Sequence, residues 1–275
     1  NVAILICQNN DNGTSSLFSF LKNSLPKLIL MSNTNAKECN FICNINDELV
    51  KYLLKIGISL KFINPSGQVN NFVRELFVPK QLETLNYPRE YINLIRKHYQ
   101  INNTALENNN VILVRDMDFY NVDEQWESFI ESTKLELKEK YPTRESDFNY
   151  HIIEDNPNNY ISSIDIFKNA LIVIGHRCEI MANIIFTPKD ASIYEISFES
   201  KPDLQLWNMC AAAEQHYTLV AYKREPKHRQ IEMINKKLGI AIKTNPWNSQ
   251  PYVPEISKIE VSNNNISINS EEYPF

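Results

Sequence analysis

Apolar residues in this chain fall into short continuous runs, separated by longer stretches in which they recur every three or four positions. Short runs bounded by turn residues suit buried strands, and the longer spacing suits amphipathic helices. Residues 2–7 form such a run, and 17–25 show helical spacing before Pro26. Residues 40–43 read as a strand, 47–56 as a helix closed by Gly57, and 59–63 as the next strand. Glycine is the usual left-handed stop at a helix end. A strand over 73–78 and a helix over 88–99, with Pro88 in its first turn, follow.

The alternation then repeats with stronger signals. The pattern predicts strands at 111–114, 151–153, 170–174, 192–196 and 217–221, and helices at 124–140, 163–169, 180–186 and 204–214. The run ALIVI at 170–174, ended by Gly175, is the clearest buried strand. Alternating strands and helices imply parallel sheets covered on both faces. The expected fold class is therefore α/β, with two Rossmann-like halves: 1–101, 102–250, and a C-terminal tail over 251–275. The boundary lies in the Asn-rich loop over 102–110, which includes Asn108, Asn109 and Asn110, because asparagine clusters favour turns and caps. In two such halves the site is expected in the cleft between them, at the carboxyl ends of the strands.

Composition narrows the function. Lys and Arg number 28 against 33 Asp and Glu, scattered along the chain, for a net charge of −5. That balance speaks against nucleic-acid binding, which needs a basic face. Hydrophobic residues make up 43%, yet no apolar run is long enough to span a membrane. Five cysteines form an odd set without a C-x-x-C pair, so reduced structural thiols are expected and no metal site. The odd count and the lack of a basic-then-apolar leader lean towards the cytoplasm without fixing a compartment. Sequons at Asn12, Asn102 and Asn265 are expected by chance in so Asn-rich a chain. With only five glycines, neither the dinucleotide fingerprint nor the P-loop can be written, and no G-x-S-x-G or H-E-x-x-H occurs.

The turn after the best strand remains. It reads I-G-H-R-C-E-I-M-A-N-I-I-F over 174–186. A strand passing through glycine into a helix leaves free backbone N–H groups, which suit a diphosphate, and His176 and Arg177 add basic groups beside them. A solvated loop that happens to carry two basic residues reads equally well from spacing alone.

This block resembles the family 61 glycosyltransferase motif V-G-x-H-G-A-G-L-T-N-x-x-F, with Gly175, Asn183 and Phe186 in register. Glu195 falls in the family's V-x-E-L strand, residues 111–115 (VILVR) are similar to its Y-I-S-R strand, and Asp123-Glu124 falls near its N-E pair. Residues 19–28 (SFLKNSLPKL) are similar to its H-W-L-x-D-x-L-P-R-L helix, and 53–58 (LLKIGI) to its L-x-x-L-G-I. The agreement runs from about residue 16 to 222. The departures fall on polar or close-approach positions: Arg177, Cys178, Glu179 and Ile180 replace His-Gly-Ala-Gly, Ser19 and Phe20 replace His-Trp, Asn23 replaces an acid, and Ser162 and Ser163 replace Glu-Gln.

The resemblance implies a GT-B arrangement that moves a sugar from a nucleotide-diphosphate donor to a glycan or protein hydroxyl, with no cofactor and no metal. Arg115 would hold the donor diphosphate as a charged fork, with an ion pair to Asp116 or Asp118 as its ordinary alternative. Arg177 would replace the family histidine as a phosphate ligand, beside Gly175 and His176. Glu195 would hold ribose hydroxyls or cap a neighbouring loop, and Asn183 would bind or brace the turn. Trp207 and Trp247 could stack on a base or pack in the core. No general base is assigned; Asp11, Asp116 and Asp118 are the nearest acids. The rival reading is a relative that keeps the scaffold for binding or assembly without catalysis.

Overall fold

The computed structural model describes the backbone of 2–6, 40–43, 61–63 and 75–77, positions 21, 25, 26 and 29, and most of 89–244; within the last span 102–104, 106–107, 118, 121–122, 144–146, 199–203 and 224 are left out. The expected helix at 47–56, the resembling segments at 19–28 (apart from positions 21, 25 and 26) and 53–58, Asp11, Asp118, Trp247 and the tail at 251–275 lie outside the described residues.

Two parallel sheets are present. The first is built from β1 (Val2–Ile6), β2 (Asn40–Cys43), β3 (Lys61–Ile63) and β4 (Glu75–Phe77), in the spatial order β3-β2-β1-β4. Its ladders run in register from Ala3 opposite Asn40 and from Val2 opposite Glu75. Strand β3 begins two residues later than the apolar pattern suggests.

Helix α1 (Arg89–His98) leads towards the second sheet, formed by β5 (Asn110–Arg115), β6 (Asn149–Glu154), β7 (Ala170–His176), β8 (Ser192–Phe198) and β9 (His216–Tyr222). All five are parallel, in the order β6-β5-β7-β8-β9. The chain enters at β5, steps to β6 on one side, then reverses to β7 and continues outward. That reversal makes the gap between the carboxyl ends of β5 and β7 the topological switch point, where open α/β sheets bind ligands.

The apolar runs explain the layering. Every residue of β7 is buried, as are the four central residues of β5, because helices cover both faces. Helix α2 (Asp123–Lys140), between β5 and β6, packs against the last helix α6 (Lys227–Thr244), which also lies on β9. Gly239 of α6 lets Glu136 of α2 approach, since a Cβ there would lie 2.5 Å from Glu136 Oε1. The other group comprises α1, α3 (Pro157–Ser162), α4 (Ile164–Phe167), a 3₁₀ helix (Glu179–Phe186) and α5 (Gln205–Ala212), which meet at the 3₁₀ helix. Right-handed crossovers put these two groups on opposite faces of the sheet.

The apolar pattern finds these strands to within two residues at each end, but it does not signal α3 or α6. Asn156 caps α3 by accepting the Asn158 N–H at 2.9 Å, with Pro157 at the first helical position. The pattern ends β7 at Ile174; the strand continues through Gly175 to His176. Gly175 is thus a strand residue facing Val114 on β5. A Cβ there would sit 2.6 Å from Val114 Cβ and 3.4 Å from Met181 Sδ. Close packing, rather than a turn, requires glycine at this point.

Candidate functional site

The carboxyl ends of β5 and β7 bring together Arg115, Asp116, His176, Arg177 and Cys178, and the other candidates lie on elements that abut them.

Arg115, the last residue of β5, is already engaged. Its Nη2 lies 2.7 Å from Asp123 Oδ1. Nη2 and Nε donate to the Tyr120 carbonyl at 3.1 and 3.3 Å. Glu154 Oε1 lies 3.8 Å from Nη1, and the guanidinium carbon sits 5.8 Å from the Trp126 ring centre. The described acids that pair with Arg115 are therefore Asp123 and Glu154.

The N-terminus of the 3₁₀ helix has a carboxylate on it. Cys178 enters it with extended backbone and no side-chain cap. Asp155, following β6, instead accepts the Ile180 N–H at 3.0 Å, and the Glu179 N–H as well. The amides expected to meet a donor diphosphate meet the protein's own carboxyl group. Burial pushes the Asp155 carboxyl above its ordinary range; these amide bonds oppose that shift and nearby Asp116 adds to it. Burial, together with Asp155, Asp116 and Glu179, pushes the Cys178 thiol up, so Cys178 is held as a thiol.

His176 and Arg177 part company. As neighbours at a strand end they address opposite faces. Arg177 is half-buried and its Nη2 donates to Gln205 Oε1 of α5 at 3.3 Å. On that face Glu195, buried in mid-β8, accepts the Tyr217 hydroxyl at 2.7 Å. Glu195 raises the Tyr217 hydroxyl further after burial has raised it, and Arg177 is close enough to lower it. Arg177, Gln205, Glu195 and Tyr217 therefore form one polar group behind the β7–β8 edge.

On the opposite face His176 is 4% exposed, and among the described residues neither ring nitrogen has a hydrogen-bond partner. The ring lies against Phe119, centroids 4.0 Å apart and planes tilted by 34°, and meets the edges of Tyr120 at 5.2 Å and Tyr222 at 5.8 Å. Burial lowers its pKa to about 3, so the imidazole is neutral. It is not a cation waiting for phosphate.

Asn183 is fully buried in the 3₁₀ helix, where its Nδ2 donates to the Tyr160 carbonyl at 2.7 Å and to Ser163 Oγ at 3.1 Å. It braces the helix against α3 and α4. Trp207 lies on α5, partly buried. Among the described residues no three His, Cys, Asp or Glu side chains converge as metal ligands would. None of the described helices is long and apolar enough to cross a membrane.

Asp155, Phe119, Tyr217 and Tyr222 are the groups the sequence pattern misses. Each becomes meaningful only through a partner on another element, and no spacing announces that. The position of Asp155 immediately after a strand is the one available signal, since carboxyl ends of parallel strands face the site. No protein-family model matches the chain, and no curated protein matches it.

Proposed function

We propose that the chain is a glycosyltransferase of GT-B type, similar to family 61, that transfers a sugar from a nucleotide-diphosphate donor to a glycan or protein hydroxyl. One observation carries the reading. Arg115, Gly175, His176 and Arg177, singled out from the sequence, lie at the two strand ends that flank the switch point of an all-parallel sheet. The donor would lie across this edge, with Arg177 towards its phosphates and Glu195 behind. In this reading the first sheet, with its own reversal between β1 and β4, supplies the acceptor side. Transfer proceeds by stabilising the leaving diphosphate with fixed positive groups. Asp155 must leave the amides of Glu179 and Ile180 before a phosphate can take them.

A second reading has a specific observation in its favour. Asp155 on those amides, and Asp123 and Glu154 on Arg115, neutralise the groups a diphosphate would use. A non-catalytic relative that keeps the scaffold for binding needs nothing more. Thermal unfolding with UDP, GDP and their sugars separates the two, because a ligand that binds only the folded state raises the midpoint. The transferase reading expects a rise with at least one nucleotide, reduced in Arg177→Ala, and sugar release or transfer from the matching donor. No rise with any nucleotide would leave the scaffold reading standing alone.

A further inference from the structure

The two edges of the second sheet are built differently. In β6 the Asn149 and Asp155 N–H groups donate to the Asn109 and Arg115 carbonyls at 2.9 and 3.1 Å, so the odd-numbered residues face β5. The N–H and C=O of one strand residue point the same way, which sends those of Tyr150, Ile152 and Glu154 outward. No described strand lies beyond them. On β9 the outward set includes Ala221, since His216 donates inward to the Ala191 carbonyl, and Lys237 of α6 fills the Ala221 carbonyl at 2.7 Å. Such a lysine guards an edge against strand addition. Strand β6 holds neither lysine nor proline nor a register shift, and Ile152 on it is 53% exposed.

Helix α2 indicates what this open edge fits. Lys134 Nζ lies 5.7 Å over the Tyr150 ring, which puts that side of α2 on the face of β6 that also holds Ile152. Helical spacing carries the same side through Glu127, Glu131, Lys134 and Lys138, acids first and bases last. Such a stripe is complementary to a reversed copy of itself.

We propose that the β6 edge and the α2 stripe form the docking surface for a second copy of this chain. A two-fold axis perpendicular to the sheet runs two β6 strands antiparallel and keeps each face on its own side. Residues opposite each other then share a face, so their numbers add to an even sum. The register that uses all three outward residues centres on Ile152, which meets its own copy, while Tyr150 meets Glu154 of the second copy. Each of these pairs exchanges two backbone hydrogen bonds. The same axis lays the two α2 helices side by side and reversed, setting Glu127 and Glu131 of one against Lys134 and Lys138 of the other. The proposal stands apart from the transferase reading, whose donor groups it does not use.

Sedimentation of the full chain over a concentration series reads the association. A dimer is expected, weakened about a hundredfold in Ile152→Lys, which sets two lysines opposite each other. A pair of stripe variants keeps the test independent of any loss of fold. Lys134→Glu with Lys138→Glu makes the stripe acidic, and Glu127→Lys with Glu131→Lys makes it basic. Each alone should stay monomeric where the parent dimerises, and the two mixed should form a heterodimer. Mild oxidation of Ile152→Cys should link two chains beyond the parent's background, since hydrogen-bonded opposite residues lie about 5.5 Å apart at Cα. Asn149→Cys, far from its own copy in this register, should not. A parent chain that stays monomeric at about 0.1 mM, above the micromolar range of weak specific interfaces, overturns the proposal. So does a dimer indifferent to Ile152→Lys and to mixing of the stripe variants, because its contact lies on another face.

Discussion

The two flanks of the switch point handle polar groups in opposite ways. On the β5–β6 flank, Arg115 meets Asp123, Glu154 and the Tyr120 carbonyl, and the amides of Glu179 and Ile180 meet Asp155. On the Phe119 side of β7, by contrast, His176 lies among rings with neither nitrogen satisfied by a described residue, while Arg177 and Glu195 on the other side of the sheet are paired. The groups just named on the first flank have partners within the folded chain. The second carries a desolvation cost that folding leaves in place.

The two flanks meet along the β5–β7 ladder, and the largest expected effect comes from its tightest contact. Gly175 lies opposite Val114, and a Cβ there would be 2.6 Å from Val114 Cβ, a stub that cannot swing aside. Gly175→Ala should cost about 3 kcal/mol, towards the upper end for overpacking a close-packed core. Urea unfolding measures it, and a loss below about 1 kcal/mol would show that the strands separate easily and that the flanks are not rigidly coupled.

The next effect sharpens the contrast. Arg115→Ala removes charge-assisted hydrogen bonds and leaves the Tyr120 carbonyl without that donor, so a loss of about 2 kcal/mol is expected. On the other flank the sign should invert, since His176→Phe removes unsatisfied nitrogens. Parallel thermal melts of the two variants check this. If Arg115→Ala melts like the parent, the β5–β6 flank contributes no stability and the contrast fails.

Much of the second sheet was legible because its strands are buried on both faces and read as continuous apolar runs, as in 111–114 and 170–174. Helix α6 was not: its apolar positions are diluted by lysines whose stems and heads do structural work, such as Lys237 donating to the Ala221 carbonyl at 2.7 Å. Of the candidate site, the positions were legible and the partners were not. Residue type and motif register pointed to Arg115, Gly175 and Arg177, but side-chain partners lie beyond the reach of one-dimensional spacing. His176 shows why: basic by type, it is held neutral by rings from the loop after β5 and the end of β9. Asn183, expected to bind or to brace its own turn, instead bonds to Tyr160 of α3 and to Ser163, partners that spacing does not announce.

The smallest effect concerns whether the first flank is closed by charge or only by hydrogen bonds. Burial raises the Asp155 carboxyl above its ordinary value, so in the folded chain it gives up its proton later than in the unfolded one. As pH rises through the ordinary carboxylate range the unfolded state binds fewer protons, so stability falls until the folded carboxyl has also ionised, and then levels off. Asp155→Asn keeps an oxygen that can accept the Ile180 amide and removes the ionisation. Its stability profile should therefore fall less between the ordinary and the raised carboxyl value, and the difference between the two profiles isolates this group from the other acids. Denaturant midpoints taken at intervals across that acidic range measure it. Parallel profiles would mean that Asp155 ionises in the fold as it does in water, and that the amides are capped at no electrostatic cost. The amide site would then be closed by a fully ionised carboxylate, which a phosphate would have to displace.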